Sequence, residues 1–317
     1  MSGIKIVFGG LGMGGDRQLG TPEGVKEFLP ILKQYGVNTL DTAQLYGDSE
    51  KTLGELNAGK EFVLDTKWLG GFQPGKITKD GIISMADGSI DKLKVPQVDV
   101  FYIHAPDHSV PLEDTLAGVN EVFKAGKFKR FGLSNYKAED VEKVYNLAKE
   151  RGYPLPEVYQ GNYSAVARRQ DKELFPVLRK LGIAFYAYSP IAGGFLTKTP
   201  EDIEKGTGRF DKNSPIGSIY HNMYAKPAYI ECLKQWASIA EDAGIPKAEL
   251  AYRWVRFNSA LKPEYGDAII LGARDIAQGK QTLEGLTKGP LSEDICKKID
   301  QVWETIKHEA PLDNYHK

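Results

Sequence analysis

The chain has little cysteine and almost no excess charge. Cys232 and Cys296 are its only cysteines in 317 residues. That is too few for a disulfide scaffold or a multi-cysteine zinc or iron–sulfur site, and they read as reduced thiols. Lys plus Arg number 41 against 42 Asp plus Glu, a net charge of −1. This balance argues against a nucleic-acid-binding protein and against a polybasic membrane anchor. No apolar run approaches the ~20 residues of a membrane span. The N-terminal run Met1-Ser-Gly-Ile-Lys-Ile-Val-Phe8 turns glycine-rich too soon for a signal peptide. His104 and His108 have an H-x-x-x-H spacing, but Pro106 forbids the helix that would aim both rings at one metal, so no metal site is expected. A cytoplasmic protein with a small-molecule partner, no nucleic acid and no membrane is expected; a homo-oligomer is compatible with this composition.

Hydrophobic residues make up 41% and charged residues 26%, ordinary for a packed globular chain. Short β-type runs alternate with longer helical patterns. Strands are expected at Ile4–Phe8, Val37–Asp41, Glu61–Lys67, Gln97–His104, Lys129–Ser134, Glu157–Asn162, Ile183–Tyr188 and Asp267–Leu271. Helices are expected at Thr21–Tyr35, Ser49–Asn57, Lys76–Leu93, Pro111–Ala125, Lys137–Arg151, Asp171–Leu181, Pro227–Ala243, Lys247–Phe257, Asp275–Thr287 and Ser292–His308. Eight strands, each followed by helical sequence, predict a parallel sheet covered by helices, and eight repeats match a single α/β (β/α)8 TIM barrel over residues 1–317. Pro190–Ala225 reads as a long loop after strand seven, of the length that usually serves as a lid or binding segment.

Gly10-Leu-Gly-Met-Gly-Gly15 fits the G-x-G-x-x-G dinucleotide fingerprint, and Asp41 stands at a suitable distance. However, the fingerprint needs a helix to open within the glycines, facing the pyrophosphate. Asp16 to Gly20 intervene, so a tight turn at a barrel mouth is the preferred reading over a Rossmann dehydrogenase.

Barrel enzymes keep their catalytic groups at the C-terminal ends of strands. There the sequence places Asp41, with Tyr46 just beyond, then Lys67 and His104 on the next two strands. Each alone has a plain structural use, as a cap, rim aromatic, surface lysine or core histidine. Together they make a proton donor. A tyrosine hydroxyl has an unperturbed pKa near ~10, and an adjacent lysine charge lowers it. Asp41 would hold the lysine, and His104 would orient a carbonyl. The attacking nucleophile must then come from a cofactor, because no side chain supplies hydride.

Leu40-Asp-Thr-Ala-Gln-Leu-Tyr-Gly-Asp-Ser-Glu50, with the order Asp41, Tyr46, Lys67, His104, resembles the signature of the aldo-keto reductases. Val98–His108, Gly132–Tyr136, Val158–Tyr163, Phe185–Thr197, Gly208–Phe210 and Asp267–Gly272 are similar to the aflatoxin-aldehyde reductase branch, so the resemblance spans the chain. It implies NADPH-dependent reduction of aldehydes or ketones, with NADH as the alternative cofactor. Tyr46 would be the general acid, tuned by Lys67 and Asp41. It also implies Ser134, Asn135 and Gln160 on the nicotinamide carboxamide and Tyr188 stacked on the ring. Ser189, Ile191, Gly193, Leu196, Lys198 and Arg209 would lie along the pyrophosphate. Gly272, Arg274, Gln278, Gln281 and Thr282 would lie at the adenosine end. Arg274 and Thr282 stand where this branch usually has serine and asparagine; a forked guanidinium suits a 2′-phosphate, with Asp275 turned away to cap a helix. Met13, Trp68, Tyr220 and the C-terminal tail are expected to wall the substrate pocket. The superfamily also includes channel-associated subunits, so a non-catalytic NADPH-binding regulatory subunit is the alternative function.

Overall fold

Parallel strands cannot be joined by tight hairpins, so every connection must cross over the sheet, and here helices make the crossings. The computed structural model describes residues 3–15, 17–206 and 208–316, with Pro215 described in its backbone only. Met1, Ser2, Asp16, Thr207 and Lys317, which fall in the N-terminal run, the stretch after the glycines, the long loop and the C-terminal end, lie outside the described residues. In order come β1 (Lys5–Gly9), α1 (Pro22–Gln34), β2 (Thr39–Asp41), α2 (Ser49–Glu55), β3 (Val63–Trp68), α3 (Lys79–Leu93), β4 (Val98–Ile103) and α4 (Leu112–Lys124). Then follow β5 (Phe128–Ser134), α5 (Ala138–Arg151), β6 (Pro156–Asn162), α6 (Gln170–Glu173), α7 (Phe175–Leu181) and β7 (Ala184–Tyr188). After β7 come α8 (Pro200–Lys205), α9 (Pro215–Tyr224), α10 (Pro227–Ala243), α11 (Lys247–Arg253), β8 (Ala268–Leu271), α12 (Ile276–Leu286) and α13 (Glu293–Ile306). The strands close in sequence order into one parallel barrel, β8 pairing with β1 at Lys5↔Ala268. The (β/α)8 architecture is therefore the one expected, and the closed order removes the Rossmann alternative.

Local signals explain most boundaries. Thr21 caps α1 by accepting from Gly24 N, with Pro22 at the first helical position. The glycine-rich turn opens no α-helix; Gly10–Gly12 is a short 3-10 turn, and Gly14, at φ 142°, packs so closely on the start of α2 that a Cβ would meet Ser49 N at 2.7 Å.

Two expectations need correction. The helix at Asp171–Leu181 is two, α6 and α7, broken at Leu174. Pro176 lacks an N–H and its ring would clash with the preceding turn. The stretch Pro190–Ala225 is not a bare loop. Thr199 and Ser214 each cap a helix by accepting from the third residue on, Pro200 and Pro215 open those helices, and Gly206 ends α8.

Two apolar layers hold the barrel. Val7, Val100, Tyr102, Val158, Ala184, Tyr186, Ala268 and Ile270 fill its interior, and a larger cluster packs the helices on its outer face. Asp267, entering β8, is buried and accepts from Arg179 through both carboxylate oxygens at 2.9 and 2.6 Å, from Phe185 N at 2.8 Å and from Lys262 N at 2.8 Å. Asp267→Ala strands a part-buried guanidinium and the amides of Phe185 on β7 and Lys262 in the loop before β8, and should cost about 3 kcal/mol in urea unfolding. A loss under about 1 kcal/mol would show that this carboxylate does not close the barrel.

Candidate active site

β2 and β3 run side by side with Asp41 and Asp65 as register partners, and Lys67 lies two residues beyond Asp65 on the same inward face. Lys67 Nζ is 2.6 Å from Asp41 Oδ2 and donates to the Thr42 carbonyl at 2.8 Å; the lysine side chain has no exposed surface. Gln160 reaches across the barrel and donates to Asp41 Oδ1 at 2.9 Å. The ammonium lies 5.0 Å from the centre of the Tyr46 ring, and the His104 ring meets Tyr46 edge-on at 5.6 Å. The expected four groups therefore converge at the C-terminal mouth of the barrel.

Their proton affinities follow from burial and charge. Burial raises the Tyr46 pKa above its ordinary value; Lys67 pulls it down and Asp41 pushes it up. The expectation that Lys67 brings the phenol below its ordinary value is thus corrected, because burial outweighs the lysine here. Burial pulls the Lys67 pKa down, but Asp41 and then Tyr46 outweigh it and hold the ammonium above its usual pKa. Burial, aided by the Lys67 charge, pushes His104 well below the usual imidazole range, so it is neutral at pH 7. Its Nδ1 is buried without a hydrogen-bond partner. The arrangement holds an uncharged imidazole and a phenol beside a fixed cation.

The strand ends around this group are strained. Asn135 and Ser189, directly after β5 and β7, adopt left-handed conformations (φ 59° and 54°). These cost non-glycine residues about 1–2 kcal/mol each and cluster at functional sites. Asn135 donates to the His104 carbonyl at 2.9 Å, and the Tyr188 hydroxyl donates to Asn135 Oδ1 at 2.7 Å. Ser134 and Gln160 are register partners beneath them.

Past β7 the chain coils through Ile191 and the turn Ala192–Thr197, which includes Gly193, Gly194 and Leu196; both glycines have positive φ. A Cβ on Gly193 would strike the Tyr220 ring at 2.0 Å, whereas one on Gly194 or Gly272 would meet nothing within 4 Å. Open space thus faces the backbone after both β7 and β8. Ser189 Oγ is 3.1 Å from the Tyr220 hydroxyl, and Arg209 lies 5.8 Å from the Tyr220 ring centre. Lys198 follows that turn, and its carbonyl accepts from Lys247. Tyr252, on α11, feels the charge of Arg209, and Thr282 stands on α12. Gln278 accepts from Arg274 N at 2.9 Å, and Gln281 is exposed on α12.

Arg274 and Asp275 do not point apart as expected. Asp275 caps α12 by accepting from Gln278 N, but its other oxygen lies 3.0 Å from Arg274 Nε. Trp68 needs correction too. It has no exposed surface, stacks on Phe101 at 3.8 Å and donates to the Ile82 carbonyl, so it faces α3 rather than the pocket. Met13, in the turn after β1, is also buried. Phe72 instead lies beside the site, 5.0 Å from the His104 ring, with Tyr315 packed against it at 5.2 Å. Phe72 sits in a Gly-Gly-Phe turn with no motif to mark it; the tail was the only signal for Tyr315.

Among the described residues, no group of three or more His, Cys, Asp or Glu is placed to hold a metal ion, and no helix is long and apolar enough to cross a membrane.

A parallel eight-stranded barrel thus carries a buried lysine–aspartate pair, a tyrosine and a neutral histidine together at its mouth. The sequence profile of the Aldo/keto reductase family matches residues 5–304, and the chain belongs to that family. It is an NAD(P)H-dependent oxidoreductase acting on carbonyl groups. It is 38% identical to the oxidoreductase sirO of Leptosphaeria maculans, over 92% of this chain and 89% of that protein. It is 36% identical to the human aflatoxin B1 aldehyde reductase member 4, over 96% and 95% of the two chains. It is 30% identical to the aldo-keto reductase pigE of Monascus ruber, over 90% and 89%.

Proposed function

We propose that the protein reduces aldehydes and ketones to alcohols with NADPH, and that Tyr46 is the general acid. One observation carries this reading: a fully buried Lys67–Asp41 ion pair at 2.6 Å, whose ammonium faces the Tyr46 ring beside a neutral His104. When bound, the dinucleotide supplies the hydride. Tyr46 gives its hydroxyl proton to the carbonyl oxygen as negative charge builds there. Lys67 stabilises the resulting phenolate, and Asp41, itself gripped by Gln160, fixes the lysine. His104, uncharged, donates a hydrogen bond that aims the carbonyl. Tyr188, Asn135 and Ser134 at the strand ends hold the nicotinamide end, and the coil from Ser189 to Lys198 holds the pyrophosphate. Phe72 and Tyr315 favour substrates with a flat or bulky apolar flank.

Consumption of NADPH with a panel of aromatic and aliphatic aldehydes, ketones and quinones tests the reading. Turnover of at least one class is expected. Tight NADPH binding with no turnover across the panel would instead identify a regulatory subunit.

Arg274 is proposed to select NADPH by meeting the 2′-phosphate. Charge-assisted hydrogen bonds of this kind are worth roughly 1.5–3 kcal/mol. Arg274→Ala should raise the NADPH Kd about tenfold or more and leave the NADH Kd unchanged. Because Asp275 competes for the guanidinium, Asp275→Asn should tighten NADPH binding. Equal effects of Arg274→Ala on both cofactors would remove Arg274 from this role.

A further inference from the structure

The barrel interior holds a second carboxylate that the proposed chemistry does not use. Asp65 lies one layer below Lys67 on β3 and is wholly buried. Its Oδ1 accepts from Val100 N at 3.1 Å, while Oδ2 has no hydrogen-bond partner. The Tyr102 hydroxyl, from β4, is buried and unpartnered as well, and the Tyr102 ring lies 5.6 Å from Lys67 Nζ. Two unmet polar atoms are thus sealed inside the barrel next to the lysine–aspartate pair. An unmet buried polar group costs stability and calls for an explanation.

We propose that Asp65 is a positioning residue of the site, whose protonation state sets the balance of the Lys67–Asp41 pair and, through it, the acidity of Tyr46. This rests on Lys67 and Asp41 acting as described under the proposed function.

The geometry gives the mechanism. Asp65 and Asp41 are neighbours across β2 and β3, so an ionised Asp65 puts two carboxylates beside one ammonium. Neutral Asp65 leaves the Lys67–Asp41 pair balanced and the lysine field directed at Tyr46. Ionised Asp65 binds the lysine charge more tightly and withdraws part of that field. The surrounding groups are known. Lys5 stands on β1, Asp41 on β2, Lys67 on β3, Asp99 and Tyr102 on β4, Arg130 on β5, Glu157 on β6, which feels Arg130 and Asp99, and Tyr186 on β7; β8 gives the apolar Ala268 and Ile270. Arg130 is spent on Asp99, to which it donates at 3.2 and 2.7 Å. Burial, then Asp41 and Asp99, push Asp65 up to about 7, against the lowering effect of Lys5 and of the Val100 N–H. A pocket of about 330 Å³ opens at the N-terminal end of the barrel, lined by Lys5, Thr39 and Val63, and Val63 is two residues from Asp65 on β3.

The signs follow. The unfolded carboxyl ionises near 3.8 and the folded one near 7. The contribution of Asp65 to native stability is therefore greatest below the ordinary carboxyl range and is lost as pH rises from about 4 through 7. Turnover moves the same way. As Asp65 ionises, kcat should fall roughly three- to tenfold across neutrality, the effect of a nearby charge acting through one intermediary.

The test uses the full chain labelled with carbon-13 at aspartate carboxyls, titrated by NMR, alongside pH profiles of kcat. Wild type should show one carboxyl titrating near neutral pH, with the Asp41 resonance moving in step. Asp65→Asn keeps the acceptor for Val100 and should lose that titration, the coupled Asp41 shift and the neutral-range fall in kcat. Lys5→Met removes the cation that eases ionisation and should move the midpoint upward, which serves if Asp65→Asn does not fold. The proposal is overturned if wild type has no neutral carboxyl titration, if Asp41 is insensitive to it, or if folded Asp65→Asn keeps the wild-type pH profile. The NMR readout needs no turnover, so failure of the carbonyl-reductase reading would show separately as an inactive substrate panel.

Discussion

Tyr46→Phe should lower kcat by about 10²–10⁴-fold, the usual contribution of a positioned general acid, while NADPH binds as tightly as before. The phenyl ring keeps the edge-on contact with His104 and the cation–π contact with Lys67, so the fold and the cofactor cradle are untouched. Only the proton is lost. Near-normal turnover in this variant, with fluorescence-monitored NADPH binding unchanged, would dismiss Tyr46 as the acid. Burial holds its proton more tightly than in water, so the variant should also lose any alkaline limb of the kcat profile that belongs to the phenol.

Lys67→Met should abolish measurable turnover and destabilise the protein together. It leaves Asp41 buried with only the amide of Gln160 for company. Breaking one side of a buried pair typically costs 3–5 kcal/mol. The wild-type pair is fully formed at neutral pH. Its lysine lies above the ordinary value of 10.5, so this contribution is present below that range and is lost only as alkaline pH rises through the folded value. A double variant, Lys67→Met with Asp41→Leu, removes the stranded charge. It should regain most of the stability measured in urea and none of the turnover. Recovery of turnover in the double variant, or a single variant as stable as wild type, would mean that the pair is neither tuning Tyr46 nor buried as described.

The architecture was legible because strand and helix periods alternate with little interruption. Thr21-Pro22 and Gly36, for example, mark both ends of α1. Asp41, Lys67 and His104 were legible for the same reason: each stands at the end of a β-type run, where barrels keep their chemistry. The segment after β7 was harder to see. Its helices are short, and Thr199-Pro200 and Ser214-Pro215 are caps for which no long apolar stripe supplies a context. Trp68 shows the limit of strand-end logic. It directly follows Lys67, and successive strand residues face opposite sides, so an inward Lys67 requires an outward Trp68. Phe72 and Tyr315 are 243 positions apart in sequence and meet only through the closed barrel and the returning tail. The net direction of the Tyr46 shift is not legible in the sequence, because a residue list carries the lysine charge that lowers it but not the depth of burial that outweighs that charge. Asp65 reads in the sequence as an ordinary strand residue, since only the register shows that it faces Asp41 inside the barrel.

The most direct measurement is a single-turnover reaction of the NADPH-loaded protein with an aromatic aldehyde, followed by nicotinamide absorbance in H2O and in D2O. The account predicts loss of the reduced-cofactor signal on mixing and a slower decay in D2O for wild type. It further predicts that in Tyr46→Phe the decay is slower by orders of magnitude and no longer depends on tyrosine deuteration. A wild-type decay with no solvent isotope effect, or a Tyr46→Phe decay as fast and as isotope-sensitive as wild type, would contradict proton delivery from Tyr46.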